Sequence, residues 1–142
     1  MNQQFSPITL GARLKTVKVA GFVLTETTHQ PNYKLARHHH ELNNIAFVLS
    51  GSFTEVLDRR SIECQPQSLL IKPAGEAHAN IYGRQGMRCL LIEVGPRQFE
   101  SLHSWSQPLN EVSHLRGGSL SMLGMRIYQE FRLMDQATPL AI

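Results

Sequence analysis

Cysteine is scarce in this 142-residue sequence, with only Cys64 and Cys89 present. Small secreted domains stapled by disulfides normally use more, so each is expected as a small apolar core residue. Long apolar runs are missing too. The longest uninterrupted one, Ile45 to Leu49, is far short of the roughly 20 residues that cross a bilayer as a helix. The opening MNQQFSPITL lacks the basic-then-apolar layout of a secretory leader. The expectation is a soluble, cytoplasmic protein with no membrane partner. Basic clusters are equally thin. The net charge of +3 comes from scattered lysines and arginines, with only Arg59 and Arg60 adjacent. No basic helical stripe exists to track phosphates, so this stretch is not expected to touch nucleic acid itself. Low-complexity segments and internal repeats are absent. What remains, 42% hydrophobic and 18% charged, is the composition of one ordinary globular core.

From Leu14 to about Val94 short apolar segments alternate with turn residues, the pattern of an all-β sandwich or barrel. LKTVKVAGFVL (14–24) reads as a partly exposed strand with a bulge at Gly21. NIAFVLSGSFTEVL (44–57) reads as two strands folded about Ser50 and Gly51, and SLLIKP (68–73) as a strand ended by its proline. IYGRQGMRCLLIEV (81–94) reads as a hairpin turning at Gly83 and Gly86. After Gly95 the period changes. Pro96 suits the first turn of a short helix carrying Phe99 and Leu102. Beyond Gly117 and Gly118, the residues Leu120, Leu123, Ile127, Phe131 and Met134 recur at three- and four-residue steps, predicting an amphipathic helix. Thr138 and Pro139 read as the cap and first position of a second helix, which implies that the sequence continues into a longer protein. The expected division is a β-domain over 1–115 and helices over 116–142.

Chemistry concentrates at histidine. His38 and His40 stand two apart, so a strand through 37–49 would turn both toward one face and His39 toward the other. His78 follows a turn at Pro73 and Gly75 that could return it, or Glu76, over the sheet. Three imidazoles, or two with a carboxylate, suit zinc, iron or another first-row ion. Taken singly, each histidine is more often a hydrogen-bonded or surface residue, and Gly51 and Gly75 are turn glycines before they are ligand contacts. Glu55, Tyr82 and Arg88 are candidates to line or rim a shared pocket.

His38, His40, Gly51, Pro73, Gly75 and His78 together resemble the two motifs of the cupin superfamily. The resemblance spans residues 38–82 and implies a jelly-roll β-barrel with the motif histidines inside. Departures bear on the chemistry. Where a metal-binding cupin carries an acid, four residues after the second histidine, this sequence has Asn44. Gln67 stands in place of the glycine six before the proline, and Tyr82 in place of the asparagine four after the last histidine. An amide oxygen is a weak, neutral donor to a transition ion, so a metal site at His38, His40 and His78 would need Glu41, Glu55 or Glu76 as its anion.

VLSGSFTEVL, SLLIKPAGEAHAN, GMRCLLIEV and RIYQEFRLMD, in that order, are similar to the N-terminal sensing domain of AraC-type transcription regulators. That resemblance covers roughly 35–142. It implies a cupin-like barrel that binds a small effector, helices that form a dimer contact, and a C-terminal DNA-binding part that no segment here matches. The leading expectation is a sensory, dimerising domain without enzymatic activity or cofactor. His38, His40, His78, Glu55, Tyr82 and Arg88 would bind the ligand, and Leu123, Ile127 and Phe131 would meet a second copy. The alternative is a metal-dependent dioxygenase or isomerase using His38, His40 and His78. A barrel that has lost its ligand would instead be filled with side chains.

Overall fold

The computed structural model describes residues 11–97 and 111–134. Ala20 and Gly21 both take positive φ, of 51° and 86°, the conformation of a two-residue turn whose twist matches flanking antiparallel strands. The segment expected as one bulged strand is therefore a hairpin of β1 (Ala12–Val19) and β2 (Phe22–His29), with Val19 opposite Phe22. Then come β3 (Lys34–His38), β4 (Asn43–Val56), β5 (Ser61–Cys64), β6 (Ser68–Lys72), β7 (His78–Val94) and β8 (Ser113–Arg116), followed by helix α1 (Gly118–Leu133).

β4 and β7 correct two further readings. Each was expected to fold back at its glycines, and each runs on as one long strand. They pair with one another from Asn43 opposite Val94 to Val56 opposite Ala79, with register breaks between Val48 and Ser50 and between Gly51 and Phe53. The glycines bend the pair instead of reversing it. Gly51 sits at φ +75°, and a Cβ there would run into the carbonyl of Gly86 on the facing strand, so two backbones approach where only glycine fits. The bend divides the sheet. One half has the order β1-β2-β7-β4-β6-β8, while the other ends of β4 and β7 take β5 and β3 as outer neighbours. Between the halves lies a core of Leu35, Ala46, Val48, Phe53, Cys64, Leu70, Tyr82, Met87, Cys89 and Leu91. Both cysteines are free and buried in it.

A second core forms on the outer face of the larger half, where α1 lies. Val17, Leu24, Phe47, Leu90 and Ile92 meet Tyr128, Phe131 and Met134 there. Gly124 lets the helix approach, since a Cβ at that position would fall 2.8 Å from the Phe47 ring. The helix is also tied at both ends. Ser121 Oγ donates to the Gln67 carbonyl at 2.7 Å and accepts from the Gly117 amide at 2.8 Å, and Lys15 Nζ donates to the Phe131 carbonyl at 2.8 Å. Gln67 holds φ +73°, the conformation that the glycine of the cupin motif would adopt without strain. Pro96 and Arg97 are helical. Phe99, Leu102, Thr138 and Pro139 lie outside the described residues.

Candidate functional site

His38 closes β3 directly opposite His78, the first residue of β7. His40 is not in a strand, since β3 ends at His38 and β4 begins at Asn43. The single strand expected through 37–49 does not exist, yet His40 still turns inward because its backbone is held. The His40 carbonyl accepts the Gly75 amide at 2.9 Å, and Asn43 Oδ1 accepts the Ala74 amide at 2.9 Å. The turn at Pro73 to Gly75 thereby staples the two histidine-bearing segments. One ring nitrogen from each of His38, His40 and His78 lies within 4.8 Å of the others. His39 points outward and sits 3.9 Å from the exposed carboxylate of Glu41.

Ring orientation is set by backbone carbonyls. His38 Nδ1 lies 2.7 Å from the Ala36 carbonyl and His78 Nδ1 lies 2.9 Å from that of Glu76. Those nitrogens carry the hydrogens, which leaves each Nε2 as an acceptor. His40 Nδ1 is buried with no partner among the described residues. Burial, and after it the cation of Lys72, holds His40 down at about 2 and His78 at about 3. His38 is lowered by the same leading cause, and His29 falls to about 4. All four rings are neutral at physiological pH.

Lys72 is the group that sequence reading missed. It ends β6 opposite Asn44, is 5% exposed, and places Nζ 3.3 Å from His78 Nε2 and 3.4 Å from Glu55 Oε2. Glu55 is fully buried, accepts a 2.6 Å hydrogen bond from Asn80 Nδ2, and has its pKa raised chiefly by burial. Alternation along SLLIK was the available signal, because Ser68, Leu70 and Lys72 share a face. Beside His38 and His40 lies a cavity of about 50 Å³ lined by Thr27, His29, Leu35, His38, His40, Ala46, Phe53, Lys72, Asn80, Tyr82, Met87, Cys89 and Leu91, whereas His78 is not in its lining. Tyr82 thus lines the cavity, with His29 stacked on its ring at 4.4 Å. Glu55 stands behind Lys72 and Asn80.

Arg88 is not in the pocket. It projects from the opposite face of β7, half exposed, with Nε 3.2 Å from Glu26 Oε2, the oxygen that also accepts a 3.0 Å hydrogen bond from the Tyr128 hydroxyl of α1. Phe131 is likewise turned away from its expected role. It is fully buried in the subunit's own core, against which half-buried Ile127 also packs, leaving Leu123 at 50% exposure. Leu120 and Met122, at 47% and 69% exposed, join Leu123.

His38, His40 and His78 are the donors a transition ion would use. The charge around them weighs against one. Asn44 Oδ1 is buried without a partner among the described residues and offers no charge. Glu41 and Glu76 are exposed, and Glu55 is engaged by Lys72 and Asn80. The Lys72 ammonium already occupies the acceptor nitrogen of His78. A unit cation facing a divalent ion at about 4 Å costs roughly 8 kcal/mol at an effective dielectric of about 20.

The rolled antiparallel sheet is a cupin fold. It superposes on a cupin superfamily protein of Desulfitobacterium hafniense DCB-2 with TM-score 0.52 and 16% identity, covering 58% of this chain and 75% of that one. A protein of unknown function from Rhizobium leguminosarum bv. viciae 3841 gives TM-score 0.55 at 15% identity, over 59% of this chain and 80% of that one. Residues 21–138 match the family of AraC-like ligand binding domains, and the chain belongs to that family. The AraC-like transcriptional activator CuxR is similar to it over 83% of this chain, with TM-score 0.67 and 15% identity, and this chain spans 44% of the length of CuxR. No curated protein matches in sequence. Among the described residues no helix is long and apolar enough to cross a membrane.

Proposed function

We propose that the chain is the sensory, effector-binding and dimerising part of an AraC-type transcription regulator, with DNA read by a further domain. The observation that carries this reading is the placement of one pair of strands between cavity and helix. Thr27 and Cys89, opposite one another on β2 and β7, face the cavity with Oγ1 and Sγ 3.4 Å apart. Their chain neighbours Glu26 and Arg88 face the other way and hold α1 through Tyr128. A guest that moves Thr27 or Cys89 therefore moves the anchor of α1. It biases the regulator only if it binds the two arrangements with different affinity.

The exposed side of α1, with Leu120, Met122 and Leu123, is the surface assigned to a second copy. Analytical ultracentrifugation tests this part: a dimer that Leu123→Glu converts to monomer supports it, and a monomeric parent chain refutes it. For effector binding, the melting temperature is followed against a panel of small metabolites, with Ala46→Leu filling the cavity. Stabilisation lost in the variant supports the reading; a panel without a single hit counts against it. The convergence of three imidazoles favours a metal-dependent cupin enzyme as the second reading, and Lys72 opposes it. Elemental analysis separates the two, because a stoichiometric transition metal lost on His40→Ala would establish the metal site.

A further inference from the structure

We propose that the cavity accepts a small carboxylate, of about acetate to propionate size, in the place where a metal-binding cupin holds its ion. The inference rests on the effector reading and names its chemical class. Lys72 lines the cavity and spends one N–H on His78 Nε2, with Glu55 Oε2 at ion-pair distance of 3.4 Å, so its ammonium keeps donor capacity for a guest. His40 Nδ1, buried and without a partner among the described residues on a residue 6% exposed, is the second donor in its Nδ1–H tautomer. A carboxylate oxygen accepting from both would satisfy the orphaned nitrogen with a charge-assisted bond.

Glu55 does not line the cavity, and the Lys72 ammonium 3.4 Å from its Oε2 offsets its charge toward such a guest. The rest of the wall is apolar, with Leu35, Ala46, Met87 and Leu91 suited to a short hydrocarbon body. Space sets the length. One water needs about 10–15 Å³ by the same measure, so a cavity of about 50 Å³ holds roughly four non-hydrogen atoms. A sugar ring is too large without expansion of the barrel; acetate fits and propionate stretches it.

The 142-residue chain is titrated calorimetrically with sodium acetate and sodium propionate, with acetamide as the neutral isostere and zinc chloride as the metal. Saturable carboxylate binding is expected, with Kd between tens of micromolar and about 10 mM, the range open to a ligand of about four atoms. Acetamide should bind about tenfold or more weakly, and zinc should not bind stoichiometrically. Lys72→Met alone strands Glu55, so the double variant Lys72→Met/Glu55→Gln carries the test, with its fold checked by circular dichroism. Its acetate affinity should drop about tenfold or more, and zinc should now bind at the freed imidazoles. Equal binding of acetamide and acetate, unchanged acetate affinity in the double variant, or stoichiometric zinc in the parent chain would each overturn the proposal. If a neutral metabolite binds instead and Ala46→Leu blocks it, the carboxylate assignment fails while the effector reading stands. If neither carboxylates nor neutral metabolites bind, both fail.

Discussion

Phe131→Ala tests which face of α1 belongs to the subunit. The ring is fully buried among Val17, Leu24, Phe47, Leu90 and Tyr128. Lys15 Nζ also lies 4.9 Å from its centroid while donating to the Phe131 carbonyl. Truncation to alanine removes the transfer free energy of the ring and leaves a void that the flat sheet surface beneath cannot close, a cost of about 3–5 kcal/mol. Loss of the cation–π contact adds about 0.5–1 kcal/mol, although the bond from Lys15 to the backbone survives. Leu123 has the same helical periodicity in sequence but is 50% exposed. Its replacement by alanine should cost under about 1 kcal/mol within one subunit, because half of its transfer free energy is never gained. The assay is urea unfolding followed by circular dichroism, at a protein concentration low enough to keep the chain monomeric. A Leu123→Ala cost as large as that of Phe131→Ala would refute the assignment of faces and return Phe131 to the dimer contact.

Three further outcomes are expected. Tyr128→Phe removes the hydrogen bond to Glu26 and should cost about 1.5–3 kcal/mol, since the acceptor is a buried carboxylate; an unchanged urea midpoint would show that Arg88 alone satisfies Glu26. Gly124→Ala gains about 1 kcal/mol of helix propensity but places a methyl 2.8 Å from the Phe47 ring, an overpacking cost of about 1–3 kcal/mol. It should therefore destabilise, and the loss should vanish in a Phe47→Leu background. Acid should weaken the metal-free fold from about pH 6.5 downward, because the unfolded chain takes up protons that His29, His40 and His78 refuse until about pH 4, 2 and 3. Each histidine contributes up to about 1.4 kcal/mol per pH unit, and the raised pKa of buried Glu55 acts in the opposite direction. Urea midpoints at pH 7.5 and 5.5 check the sign; His29→Gln should shallow the slope, and stability that is flat across the range would contradict neutral buried histidines.

Local pattern was enough for a mainly β fold class, and the resemblance for the meeting of the three histidines. Alternation and turn residues over 14–94 specify strands. Spacing pairs His38 with His40, the cupin resemblance adds His78, and against that motif Asn44 signals the missing anion. Turn chemistry was harder. A glycine at positive φ permits a reversal or a bulge equally, and Gly51 and Gly86 became a bend only because β4 and β7 find each other across the sheet. Helical periodicity likewise identified α1 but not which side of its stripe turns inward. Phe47 decides that by leaving room for a glycine and not for a larger side chain.

Two things belong to tertiary structure. Lys72 lies on the sixth strand and Glu55 on the fourth, 17 positions apart in sequence, and nothing in either neighbourhood pairs them. Arg88 and Cys89 are adjacent in sequence yet serve opposite faces, one holding the helix and the other lining the cavity. Short-range periodicity specified a β-sandwich or barrel, and the motif resemblance implied a cupin-type barrel with its histidines inside. The charge inside the barrel was decided only when the strands closed, because burial and the cation of Lys72 act through space and not along the chain.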